Sequence, residues 1–437
     1  EAASDMDRLR MALEAMPDET LMRCMEADRK GRRDDYPLRA VWNSVLAGIV
    51  FEHASIEQLR RELSRNAELR MVCGFDVLLG KKAVPEPSVY TRFLKKLFKY
   101  QHLIDAIFDE LVETLRELLP GFGKRLAIDS KAIDSHGRPT KNGKEDGRRD
   151  TNADWGVKTY RGRREDGTEW EKVKRWFGYK LHLIVDADYE LPVSCKVTRA
   201  SAGDSPELLS MADQLDQRHP ELMDNAEFLS ADKAYDSKEN NRTLWDTYAA
   251  RPIIDIRSTW KEDPRLPRPV FPDKADTIFY TEAGEVVCRH RDGREKEQDN
   301  YTPMAFEGFE AERESLKYRC PAAARGIECT QRDLCNGGCH SAHGRIVRVP
   351  LGMDRRIFTP QARSSRTWKA EYKHRTAVER VNSRLDLSFG FEQHFIRGLN
   401  KMRMRCGLAL VVMLAMAVGR IRANQAEHLR SLVRPAV

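Results

Sequence analysis

The chain is 437 residues long, enough for two or three domains, and 41% hydrophobic, enough to give each a core. Its net charge of +7, with 33% charged residues, is a modest basic excess that permits a polyanionic partner without demanding one. A polar, acidic N-terminus gives no secretory signal, the one strongly apolar run (residues 408–418) is too short to cross a bilayer, and nine unevenly placed cysteines point to a reduced, cytoplasmic protein.

In chain order, residues 1–120 read as helix. Residues 39–50 keep an apolar face at helical spacing, Ser55 is placed to cap a helix that begins at Ile56, and residues 87–97 open another helix after a loop at 80–82. Several short helices ahead of a mixed region suit a helix-turn-helix-like DNA-binding module or a plain helical bundle.

From residue 124 the pattern changes to strands. Residues 126–129, 179–185 and 192–198 predict three strands, Ser205-Pro206 predicts a helix start with Ser205 as cap, and 228–231 predict a fourth strand. A helix over 237–248 and a fifth strand over 251–256 complete the run. Two insertions interrupt it. Residues 137–178 mix Lys/Arg with Asp/Glu and carry Trp155, Trp170 and Trp176, which reads as a loop or hairpin, and its place just after Asp129 favours DNA contact. Residues 257–360 open on Pro264, Pro267, Pro269 and Pro272, an extended linker. Spacing alone predicts a mixed α/β protein.

Three acids stand out. Asp129 and Asp232 end apolar strand-like runs, and Glu379 lies in a helical pattern spanning 372–380. Carboxylates at strand ends point out of a sheet, where a helix can supply a third, and three such ligands suit two Mg²⁺ or Mn²⁺ ions with positions open to a phosphate. Tyr372, Arg375 and Glu379 are spaced to share one helix face, and Arg375 has the planar fork that fits a phosphate, or pairs with Glu371 or Glu379 instead. Lys180 and His182 share a strand face. Lys180 is a candidate for DNA contact, and His182 for that or for a satisfied core position. Asp134 and Asp236 are further acids near the site, as supporting groups or as helix caps.

With Ile128-Asp129-Ser130, 178–182, 231–235 and Tyr372-x2-Arg375-x3-Glu379 in this order, the chain resembles bacterial insertion-sequence transposases of the DDE type. The family's signature continues six residues on with Lys, where this chain has Asp386; Arg384 is the nearest basic substitute. The resemblance implies a ribonuclease-H-like mixed sheet flanked by helices, preceded by an all-helical N-terminal domain (1–120) and split into 121–256 and 361–437 by a cysteine-rich insertion (257–360). It also implies Asp129, Asp232 and Glu379 as catalytic metal ligands, and Tyr372, Arg375, Arg384, Lys180 and His182 toward DNA. The partners implied are the element's terminal inverted repeats and target DNA, engaged by a homodimer. The competing readings are a related nuclease without strand transfer and an inactive DNA-binding relative.

The insertion holds Cys288, Cys320, Cys329, Cys335 and Cys339, followed by His340 and His343. Four thiolates bind Zn²⁺ tetrahedrally and can order a module with little core, although the spacings are not paired C-x2-C. An iron–sulfur cluster or unmetallated thiols are the alternatives, and spacing leaves open which four cysteines would ligate.

Overall fold

The computed structural model describes residues 4–29, 36–139, 149–164, 168–260, 266–273, 276–291, 299–326, 329, 335 and 344–431. Seven helices come first: α1 (Asp5–Ala15), α2 (Glu19–Ala27), α3 (Leu38–Val50), α4 (Ile56–Arg65), α5 (Ala67–Cys73), α6 (Pro87–Leu97) and α7 (Gln101–Leu118). Their starts follow local chemistry. Ser4 and Asp7 form a reciprocal capping box on α1, and the Ser55 hydroxyl accepts from the Gln58 N–H at the start of α4. The expected loop at 80–82 belongs instead to a 3₁₀ stretch, Val77–Ala83, kinked at Gly80.

The central sheet follows: β1 (Arg125–Asp134), β2 (Asp154–Arg163), β3 (Glu169–Asp186), β4 (Leu191–Arg199), α8 (Asp204–Arg218), α9 (Pro220–Asp224), β5 (Phe228–Ala231), α10 (Lys238–Asp246) and β6 (Arg251–Ile254). Strands β4, β3 and β1 are antiparallel neighbours, whereas β5 and β6 join β1 in parallel, so the sheet is mixed. β5 is short and buried throughout, as a strand enclosed on both faces should be. Two strands outrun the sequence-based reading: β1 continues five residues past Asp129, and β3 starts ten residues before Tyr179. Ser205 does not cap α8; Gly203 holds that place and the Ser205 hydroxyl accepts from the Asn240 amide.

Strands β7 (Arg268–Pro269), β8 (Ile278–Tyr280), β9 (Val286–Arg291) and β10 (Asp299–Pro303) form a four-stranded antiparallel sheet. β11 (Ala305–Glu310), β12 (Ser315–Arg319) and β13 (Ile346–Pro350) form a three-stranded one, with α11 (Pro321–Arg325) after β12. Together they enclose a separate core that includes Ile278, Leu316, Tyr318, Val347 and Phe358. The chain then closes with α12 (Arg366–Tyr372), α13 (Thr376–Ser388) and α14 (Leu399–Arg422). At 24 residues α14 is longer than its apolar run and long enough to cross a membrane by composition, but most of it is buried inside the protein. It packs on α7, α1, α3 and β4, so one hydrophobic core runs from the N-terminal helices through to the central sheet.

Candidate functional site

Register brings two of the acids together. β1 and β5 pair in parallel only as far as Ala127 with Ser230. Asp129 lies two residues beyond that last pair and Asp232 immediately follows β5, so both carboxylates emerge at the same end of neighbouring strands. β1 still runs along β3 at this point, with Asp129 opposite Leu183, so Asp129 is mid-strand toward β3 and beyond the strand end toward β5. That is a correction to the simple strand-end picture, and it has a consequence: β3 holds the Asp129 backbone rigid while the ended β5 leaves room beside it.

The Asp129 carboxyl is held back from ionising. Burial, chiefly, and then the nearby Asp232 push the Asp129 acid up to about 6. Asp129 accepts the Ser130 N–H at 2.7 Å, which restrains the rise. Asp232 caps the 3₁₀ turn Lys233–Tyr235, accepting the Ala234 N–H at 2.7 Å.

Glu379 sits in the first turn of α13. The helical pattern around it is interrupted, since a 3₁₀ turn (Lys373–Arg375) links α12 to α13. The expected face survives nonetheless. The Arg375 guanidinium lies over the Tyr372 ring at 5.7 Å and donates to Glu379 at 2.8 Å, and Tyr372 stacks on Trp368 at 4.9 Å. Arg375 Nε is buried without a protein partner, and the Asp129 charge acts on the same guanidinium. One cation thus lies among Asp129, Glu379 and Tyr372. Glu379 is exposed and turned to Arg375, and among the described residues no group of three or more His, Cys, Asp or Glu is arranged to hold a metal ion as it stands.

Three expected DNA contacts are committed elsewhere. His182 is fully buried and bonds Thr198 at 2.9 Å; burial lowers it to about 4, so it is a neutral core imidazole that cannot touch a phosphate. The Lys180 ammonium donates to the Ala202 carbonyl and to Asp204, which leaves it little exposed. Arg384 is buried against Glu190 and the Leu429 carbonyl, away from the acids, and desolvation lowers it to about 10. Neither further acid caps a helix. Asp134 ends β1, and buried Asp236 accepts from the Arg257 N–H and from Arg356, while Ser237 caps α10.

Several residues near the site escaped the sequence reading. Lys131, two residues beyond Asp129 on β1, pairs with Asp386 at 2.5 Å and Glu392 at 3.0 Å. The cation opposite Asp386 therefore comes from the strand and not from Arg384. Tyr235 is fully buried within the field of Asp129 and Asp232, which together with burial holds its hydroxyl protonated. Asp255, just past β6, acts on Tyr372. Only the strand order, which sets β1, β5 and β6 side by side, could have flagged it.

A roomy apolar cavity of about 660 Å³ lies elsewhere, between α3, α4, α6 and α14, and none of the three acids lines it. In the insertion, Cys288, Cys320, Cys329 and Cys335 line one small cavity of about 40 Å³ with Arg345. Burial pushes the Cys288 thiol up to about 11, and the other three sulfurs act on it. Cys339, His340 and His343 lie outside the described residues.

A family model described as transposase DDE domain matches residues 120–415, a span that takes in all three acids. No curated protein matches the chain.

Proposed function

The chain belongs to the transposase DDE-domain family, and from that premise we propose that it cuts DNA at the ends of a bacterial insertion sequence and joins them to target DNA. One observation carries the reading: Asp129 and Asp232 stand at one end of adjacent parallel strands, close enough that the Asp232 charge acts on the Asp129 carboxyl. The order β4-β3-β1-β5-β6, antiparallel then parallel, supports a ribonuclease-H-like sheet.

Asp129, Asp232 and Glu379 are hard oxygen donors that fit Mg²⁺ or Mn²⁺, and a divalent cation would offset the burial and the neighbouring Asp232 charge that raise Asp129. Such ions, when bound, activate the attacking hydroxyl and stabilise the leaving oxygen. The chain's own residues do the rest. β3 fixes the Asp129 backbone, the 3₁₀ turn after β5 fixes Asp232, and Glu379, in the N-terminal turn of α13, would leave Arg375 to join them. Arg375 holds Glu379 until it is needed, and its planar guanidinium is then free to take a phosphate oxygen. Two such sites must be held together to join both ends of one element, which makes a homodimer the simplest assembly.

The four cysteines around one cavity are proposed as a structural Zn²⁺ site that ties β9, the start of α11 and residues 329 and 335 together. Binding would draw the thiols inward and release their protons.

The test of the main reading is metal-dependent nicking of supercoiled plasmid and strand transfer of element-end duplexes. Asp232→Asn and Glu379→Gln are each expected to abolish both reactions while DNA binding persists. Either variant retaining wild-type cleavage would remove its residue from the site, and cleavage without any strand transfer by the wild type would make the protein a nuclease.

A further inference from the structure

On the N-terminal side of Gly178, β3 runs out past β1 and β4. Its C-terminal half pairs with β1 and β4, but residues 169–177 pair only with β2, the β2 register running from Asp154–Gly178 to Arg163–Glu169. The result is a two-stranded arm whose outer residues on β3 are exposed. Glycine marks its root, since a Cβ on Gly178 would fall 2.1 Å from the Ile133 carbonyl oxygen. A two-stranded ribbon buries little and is marginally stable alone, so its side chains ask for another explanation.

The register sorts those side chains into two unlike faces. Directly opposed residues share a face. Lys158 faces Lys174, Tyr160 faces Lys172, and Trp176 and Trp170 lie across Gly156 and Gly162, where a Cβ would meet the indoles at 2.3 and 2.6 Å. Lys158 sits over the Tyr160 ring at 5.9 Å. Among the described residues no carboxylate lies on this face beyond Asp154 at its root, which is bonded to Ser201. The arm's acids Glu169 and Glu171 lie on the other face, with Val157 and Val173. Opposed like charges such as Lys158 and Lys174 weaken a ribbon, so nothing in the arm's own stability accounts for them.

The lysine face also looks onto the acids. Lys158 pairs nine residues along β3 from the partner of Asp129, roughly 30 Å in a straight strand. Yet the Lys158 charge acts on the Asp129 carboxyl. Lys158 therefore stays within electrostatic reach of the site.

We propose that this arm is a clamp for DNA, its Lys158, Lys172 and Lys174 holding backbone phosphates over Asp129 and Asp232 while Tyr160 and Trp170 offer flat surfaces to the sugar or an unstacked base. This deepens the proposed function and rests on it. Polyanion binding is the one role that turns opposed lysines from a cost into a gain, and the clamp lies where the scissile phosphate must enter.

The experiment compares full-length wild type with the triple variant Lys158→Gln/Lys172→Gln/Lys174→Gln and with an opposite-face control, Val157→Thr/Val173→Thr. Affinity for a mixed-sequence duplex is measured across a salt series, together with plasmid nicking in Mg²⁺. All five side chains are exposed, so unchanged thermal midpoints are expected. Each phosphate contact contributes about 0.9 to the salt slope, so the triple variant should lose about two to three from it, and nick more slowly, while the control matches wild type. A triple variant with the wild-type slope and rate overturns the clamp while leaving the proposed reaction intact. A control that loses slope equally overturns the assignment to the lysine face. If the wild type itself neither binds nor nicks DNA, the underlying reading fails, and the clamp with it.

Discussion

Asp129 should destabilise the fold it serves. Its acid is raised to about 6 from an ordinary 3.8, chiefly by burial, so the folded chain keeps a proton that the unfolded chain gives up. Stability contributed by this group is therefore full below about pH 4, falls as pH rises toward 6, and is a constant penalty above that. At about pH 8 the full shift corresponds to about 3 kcal/mol, an upper bound because the residue is partly exposed and water screens the charge. Asp129→Asn keeps the oxygen that accepts the Ser130 N–H but cannot ionise. In the presence of a chelator it should thus be more stable than wild type at pH 8, by about 1–3 kcal/mol, with the gain vanishing near pH 4. Adding Mg²⁺ should stabilise wild type and not the variant, because only wild type binds the ion through this site. Denaturant unfolding at several pH values, with and without Mg²⁺, reads all of this. A gain that does not depend on pH, or a variant less stable than wild type at pH 8, would refute the account of a strained acid.

Two further expectations follow from the same structure. Purified without added metal, the protein should carry about one zinc per chain; chelation should lower its thermal midpoint, and Cys288→Ser or Cys320→Ser should lose the metal, whereas folded protein with no zinc removes that site. Lys131→Ala strands the half-buried Asp386 and should cost about 1–3 kcal/mol, as should Arg384→Ala, which removes the buried partner of Glu190; if Arg384→Ala instead alters only the salt slope of DNA binding with stability unchanged, Arg384 faces DNA after all.

Much of this protein is written locally. The caps at Ser55 and Ser237, the β5 strand at 228–231 and the ion pair of Arg375 with Glu379 rest on residues within four positions of one another, so sequence spacing suffices to place them. The order of the three acids and the motifs around them was likewise enough to point to the family. What spacing could not decide was anything set by partners distant in the chain. Whether Asp129 ends a strand depends on where β5 stops pairing with β1, about a hundred residues later. Asp386 finds its cation on β1 because α13 packs across that strand, and Arg384, two residues away on the helix, is turned by roughly 200° toward Glu190. His182 reads as a polar residue on an alternating strand, yet it is fully buried and bonded to Thr198 of β4, with the α8 acids Asp204 and Glu207 acting on it. The charged stretch after Asp129 resolves into two unlike faces only once β2 and β3 take their register, because a shift of one residue would exchange the lysines for the valines.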